Sequence, residues 1–294
     1  MRSRLADYFE LMRLDRPVGT LLLLWPTLAA LWLAAGGWPP WRLVLVFIVG
    51  TFVMRSAGCV INDFADRGWD RFVTRTRDRP LTSGRVSEGE ALALFAALSL
   101  VAVSLLVFLN PLTRMLAVAG FALAVVYPFA KRWTYLPQVV LGAAFSWAVV
   151  MAHASVLNRV PPEAWLMFVG SLLWIVAYDT QYAMVDRDDD LQVGIKSTAI
   201  LFGQADRFMV GVLQASALLT LLLLGAQLHL GPVYHLALAT VAGLFVYQQY
   251  LMRDRSREGC FRAFRNNTWV GFSVFAGVVI DTTLRATLAP GSTI

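Results

Sequence analysis

Residues 41–61 read "WRLVLVFIVGTFVMRSAGCVI", and residues 62–70 follow at once with "NDFADRGWD". The first part carries only Arg42 and Arg55 as charges. About 20 helical residues cross a hydrocarbon core of about 30 Å, so this run predicts a membrane-spanning helix. The second part gathers Asn62, Asp63, Asp66 and Asp70. If the helix continues, a turn of about 100° per residue places the three aspartates within an arc of roughly 60°, with Asn62 at its edge. One span thus ends in a face of carboxylates.

The apolar pattern recurs along the chain. Windows of spanning length lie near 18–36, 41–61, 90–109, 112–130, 136–157, 163–184, 208–229, 232–252 and 268–288. With 58% hydrophobic and 15% charged residues, the composition excludes an ordinary soluble domain. The ten-residue alternation of a membrane β-barrel is missing. The expected fold is all-α: a polytopic membrane bundle of about nine transmembrane helices around a central cavity, one domain over residues 1–294. Connections at 110–111, 131–135 and 230–231 are short, which predicts that consecutive helices run antiparallel as neighbours.

Charge sets the orientation. All but five of the 25 Lys and Arg residues fall on one side: Arg2, Arg4, Arg13 and Arg16, then the segments after every second span. The exceptions are Arg42, Arg114, Arg159 and Arg285, on the other side, and Arg55 within a span. The positive-inside rule then predicts a cytoplasmic N-terminus and, after nine crossings, a periplasmic C-terminus. Topology accounts for the basic balance without nucleic acid. Asp7, Glu10 and Asp15 interrupt the first run, which argues against a cleaved signal peptide. Cys59 and Cys260 fall on the reducing side, where free, buried thiols are expected.

A second acidic cluster, "YDTQYAMVDRDDDLQVGIKSTA" from residue 178, follows the sixth window. Asp179, Asp186 and Asp190 fall within about 40° on a continued helix, with Asp189 adjacent and Asp188 pointing elsewhere. A charge run after a span is often only a solvated loop. Here Asp179 lies inside an apolar stretch, where an ionisable group marks a functional site. Like charge gathered at one depth also calls for a neutralising cation. Carboxylate and amide oxygens without His or Cys select Mg2+ over zinc, and Mg2+ takes few carboxylates and completes its shell with phosphates and water. His153, His229 and His235 lie toward the other face, outside this set. Two facing clusters, each with its Mg2+, form a clamp for a diphosphate. The loop "TRTRDRPLTSG" offers Arg75, Arg77 and Arg79, and other segments offer Lys131 and Lys196. Topology suffices for most of these, and Arg75, Arg79 and Lys131 are the functional candidates.

Taken together, "NDFADRGWD", "RTRDRPLTSG", "YPFAKR", "LPQVVLGAAF", "YDTQYAMVDRDDD" and "GIKSTAILFGQ" resemble the UbiA superfamily of intramembrane aromatic prenyltransferases. The likeness runs from "LMRLDRPVGTLLLLWPT" to "FRAFRNNTWVG" and leans toward the branch that uses 4-hydroxybenzoate. It implies a nine-helix bundle whose cavity opens laterally to lipid under cap loops after helices 2 and 6. It also implies metal ligation by Asn62, Asp63, Asp66 and Asp70 in the first motif and by Asp186 and Asp190 in the second. Asp179 matches a polar position on the same helix and is assigned to the metal set too. The catalytic set is then Asp66, Asp70, Asp186 and Asp190. The implied substrates are a polyprenyl diphosphate and 4-hydroxybenzoate, with membrane lipid around the site.

Ionising an allylic diphosphate demands exclusion of water, and aromatic faces stabilise the cation. Tyr127, Phe145, Trp147, Trp174 and Tyr178 are the candidates for that wall. The acceptor carboxylate needs a fixed cation, and Arg16 and Arg55 are placed for it. Two rivals are weaker. The continuous aspartate motif of CDP-alcohol phosphatidyltransferases is absent, and a secondary transporter would carry its carboxylates at mid-depth on interrupted helices. Relatives in the superfamily prenylate homogentisate, dihydroxynaphthoate, haem and chlorophyllide, so the acceptor rests on resemblance. A bacterial inner membrane is expected, since no transit segment precedes the first span.

Overall fold

The computed structural model of the protein describes residues 3–288. Arg2, counted above in the topology, and the C-terminus, expected on the far side, lie outside the described residues. The described residues hold eleven α-helices and no strand. They are α1 (Arg4–Leu11), α2 (Val18–Ala35), α3 (Trp41–Asp70), α4 (Glu88–Leu105), α5 (Pro111–Trp133), α6 (Pro137–Leu157), α7 (Pro162–Val193), α8 (Thr198–Phe202), α9 (Asp206–Gln227), α10 (Pro232–Leu251) and α11 (Arg257–Leu288). Nine long helices fall one on each expected window. Seven of the described segments are long and apolar enough to cross a membrane. The helices α7 and α10 fall short in hydropathy, because aspartates dilute the first and Tyr, His and Gln the second.

Local chemistry sets the helix ends. Pro111, Pro137, Pro162 and Pro232 open four helices, where a missing N–H costs nothing. Ser87 and Glu90 form a reciprocal capping box at the start of α4. Gly36 and Gly194, both left-handed, end α2 and α7. The last helix of the first motif and that of the second both continue unbroken through their aspartates.

The apolar core lies where α2, α7, α9, α10 and α11 meet, around Leu28, Trp32, Met167, Trp174, Tyr234 and Val274. Small residues permit that approach, as in membrane bundles generally. A Cβ on Gly271 would stand 2.9 Å from both Trp25 and Trp174. An amide ladder ties the same helices: Asn267 donates to Gln181 (2.8 Å), Gln181 to Gln248 (3.0 Å), Gln214 to Gln248 (2.7 Å) and Gln248 to Asn266 (2.9 Å).

The other half of the bundle is open. The helix α4 packs on α3, and α5 packs on α6, yet α4 and α5 scarcely touch beyond the ring pair Phe95 and Phe121 at 6.4 Å. The expectation that every short connection joins packed neighbours therefore fails at 110–111. The reason is local. Asn110 donates to the Ala154 carbonyl of α6 (2.7 Å), and Trp147 of α6 donates to the Leu116 carbonyl of α5 (2.8 Å). These bonds draw α5 onto α6, while Arg114 satisfies the Leu106, Val107 and Leu109 carbonyls at the end of α4. Along this gap both α4 and α5 line a cavity, through Ser99 and Val103 on one and Val118 and Phe121 on the other.

Candidate functional site

The cavity measures 860 Å³ and is lined from α2, α3, α4, α5, α6, α7 and α11. Its apolar depth reaches Phe47, Leu109 and Met151, and both aspartate motifs line its mouth. A loop over residues 71–87 closes that mouth from above. The short helix α1 is strapped to this loop: Arg85 pairs with Asp7 and with Glu10 (2.9 Å), and Leu11 packs with Leu81 and Val86.

In the first motif the carboxylates meet cations from three different segments. Asp63, only 1% exposed, binds Arg13 (2.7 Å) and Arg79 (2.9 Å). Arg79 also reaches Asp70 at 2.8 Å, so one guanidinium bridges two aspartates. Lys131, at the end of α5, pairs with Asp66, which also accepts from Asn62 at 3.2 Å. Two oxygens are left over. Asn62 Oδ1 and Asp66 Oδ1 are buried acceptors with no hydrogen-bond partner.

The second motif divides. Asp186 and Asp190 line the cavity, and Asp186 binds Arg75 Nε at 3.0 Å. Arg75 arrives from the cap loop and lies over the Tyr182 ring at 4.7 Å. Burial disfavours its charge, but Tyr182 and Asp186 outweigh that and hold its pKa above the usual arginine value. Asp189 turns outward to Arg257 (2.9 Å), and Asp188 is 78% exposed. The Asp179 and Asp190 carboxylates make no hydrogen bond or ion pair among the described residues. Asp179 lines the cavity within electrostatic reach of Arg55 and Lys131.

Among the described residues no three acidic side chains, with or without His or Cys, form a ready-made metal cage. The cations explain this, since each guanidinium or ammonium occupies lone pairs that a metal would otherwise take. Mg2+ needs only one or two carboxylates besides phosphate and water. The orphaned Asn62 and Asp66 oxygens and the unpaired Asp190 carboxylate are hard donors of the right chemistry for it.

Other expected site residues are placed less uniformly. Tyr127, Phe145, Trp147 and Tyr178 line the cavity as expected. Trp174 does not: it sits behind Tyr178, edge-on at 5.2 Å, with its indole N–H on Asn267. Arg16 is exposed at the rim and bonds Asp15 at 3.2 Å. Lys196 also lies at the rim, against the Trp133 carbonyl (3.4 Å) and the Tyr135 ring. Arg77 is outside the cavity lining and pairs with its neighbour Asp78 at 3.7 Å.

A family model, the UbiA prenyltransferase family, matches residues 23–274. The chain belongs to the UbiA prenyltransferase family. A UbiA relative from Marinobacter nauticus, a 4-hydroxybenzoate octaprenyltransferase, is 58% identical over 282 residues, covering 96% of each chain. The apo structure of a UbiA homolog from Aeropyrum pernix K1 superposes with a TM-score of 0.79 at 27% identity, over 89% of this chain and 97% of that one. A UbiA homolog from Archaeoglobus fulgidus, bound to GPP and Mg2+, shares the fold at a TM-score of 0.65 and 17% identity, over 92% of this chain and 99% of that one.

Sequence reasoning missed three residues of this UbiA site. Arg13, read only as a topology charge, holds Asp63 and adopts a left-handed backbone, φ 58°. Gly19 and Cys59 flank Arg55. The i, i+4 spacing of Arg55 and Cys59 is the sequence signal for the last.

Proposed function

We propose that this chain transfers a polyprenyl group from a polyprenyl diphosphate to the 3-position of 4-hydroxybenzoate, a membrane step of ubiquinone biosynthesis. One observation carries the reading: two aspartate motifs, each already matched with cations, line one and the same largely apolar cavity. The near full-length likeness to a 4-hydroxybenzoate octaprenyltransferase supports the choice of acceptor.

The residues suited to hold Mg2+ are Asn62, Asp63, Asp66 and Asp70 on α3 and Asp186 and Asp190 on α7. When bound, Mg2+ supplies positive charge that favours departure of the diphosphate. Arg75, Arg79 and Lys131 add fixed positive charge at the same mouth and stabilise the leaving group. The donor chain lies in the apolar depth and exits between α4 and α5. The walls exclude water, and Tyr127, Phe145, Trp147 and Tyr178 offer ring faces to the allylic cation. Arg55 binds the acceptor carboxylate. Asp179 is seven residues, about 10 Å along the helix, from Asp186. That separation fits the acceptor hydroxyl better than a shared metal, so Asp179 orients the ring and takes the proton released on substitution. We place the aspartate end at the cytoplasmic face of a bacterial inner membrane, on the strength of its basic residues.

The test uses protein in lipid vesicles, radiolabelled 4-hydroxybenzoate and a polyprenyl diphosphate, with Mg2+ and again with excess EDTA. Label should pass into the organic phase only with Mg2+. If no label moves, while homogentisate or dihydroxynaphthoate is prenylated, the acceptor assignment is wrong.

A further inference from the structure

Arg55 differs from Arg13, Arg75, Arg79 and Lys131, cations at the mouth of the cavity. Those four each meet a carboxylate. Arg55 donates instead to Cys59 Sγ at 2.6 Å, one turn along α3, and its Nε is buried without a partner. A thiol is a weak, uncharged acceptor, so it orients the guanidinium and leaves the charge intact. A half-buried cation inside a span, with Asp179 within electrostatic reach but not bonded to it, has capacity for a further anion.

The second feature is on the facing helix. A Cβ on Gly19 would stand 2.5 Å from Arg55 Nη2, 2.8 Å from Nε and 3.0 Å from Cζ. The guanidinium therefore lies against the first turn of α2, and a Cβ at position 19 would push this flexible group aside. That turn has Pro17 at its N-cap and no side-chain cap. Its backbone N–H groups and the positive end of the helix dipole add to the charge of Arg55. Pro17, Val18 and Gly19 line the cavity together with Arg55 and Cys59. Two positive features thus converge on one part of the wall; among the described residues no acidic side chain bonds to either, and Asp179 is within electrostatic reach of Arg55.

We propose that Gly19 and Cys59 are positioning residues that build a carboxylate subsite between α2 and α3: Gly19 admits the guanidinium to the helix end, and Cys59 aims it without neutralising it. This rests on the reading that the acceptor is an aromatic carboxylate, and it adds the residues that set the preference for the acid. The corollary is that acceptor selectivity is controlled by side chains that never touch the reacting carbon.

The experiment compares 4-hydroxybenzoate with its neutral methyl ester in vesicles containing Mg2+ and a polyprenyl diphosphate, for wild type, Gly19→Ala, Cys59→Ala, Cys59→Ser and Cys59→Asp. Gly19→Ala and Cys59→Asp should raise the KM for the acid at least about tenfold, the loss of one charged hydrogen bond, with the donor KM unchanged. Their preference for acid over ester should fall by the same factor. Cys59→Ser, which keeps an acceptor, should recover affinity that Cys59→Ala loses. The donor KM also reports folding, and Gly19→Ala carries the test if Cys59→Asp fails to fold. Wild-type turnover with unshifted KM and preference in Gly19→Ala and Cys59→Ala overturns this inference alone. Equal losses for acid and ester overturn it too, as packing effects. A wild type that prenylates neither compound removes the acceptor reading and this inference together.

Discussion

Replacing Arg79 with alanine removes the guanidinium that joins Asp63 (2.9 Å) to Asp70 (2.8 Å). All three side chains are largely buried, at 12%, 1% and 8% exposure. Breaking one partner of a buried pair costs about 3–5 kcal/mol. Asp63 keeps Arg13 at 2.7 Å and the group borders the cavity, so the lower end, about 3 kcal/mol, applies here. The stranded charge then sits on Asp70, one turn beyond Asp66. A divalent cation held between these carboxylates replaces the missing charge. Wild type gains from the cation too, so the gap closes only through tighter binding by the variant: freeing Asp70 from its competing guanidinium closes about 2.7 kcal/mol if it lowers the Kd for the cation about 100-fold relative to wild type. Thermal unfolding of purified protein in detergent should therefore show Arg79→Ala well below wild type in EDTA and close to it in saturating Mg2+. Arg67→Ala is the control, because the Arg67–Glu88 pair is exposed and a pair of that kind contributes about 0–1 kcal/mol. An Arg79→Ala deficit that is equally large with and without Mg2+ would refute the idea that the cation and the guanidinium serve the same carboxylates.

Asp66→Asn and Asp186→Asn should each abolish prenyl transfer while leaving the protein folded in detergent; near-normal turnover in either would break the two-motif clamp. Gln248→Leu leaves its partners on Gln181, Gln214 and Asn266 unpaired. It should destabilise the bundle by about 2 kcal/mol, read as a lower unfolding temperature, with activity retained at low temperature because Gln248 lies outside the cavity wall. An unchanged unfolding temperature would show that the amide ladder is not a stabilising element.

The positions of the nine long helices, seven of them long and apolar enough to span, the helical continuation through both motifs and their place at one basic end of the bundle were legible in the sequence. Each depends on residues close together in the chain: bilayer-length apolar runs, i, i+3 and i+4 spacing, and charge counted loop by loop. The same local logic picked out Asn62, Asp66, Asp186, Arg55 and Lys131, because polar groups in an apolar setting are conspicuous.

Which cation answers which carboxylate was decided only in three dimensions. Arg75 and Asp186 are 111 residues apart, and Arg13 and Asp63 are 50 apart. The parting of α4 from α5 and the retreat of Trp174 behind Tyr178 are of the same kind, as is the seating of Arg55 against Gly19. All of them follow from how each helix is rotated about its axis. That rotation is set by many small contacts between distant segments, such as the notch at Gly271 and the Asn110 bond to α6, and none of these leaves a periodic mark in the sequence.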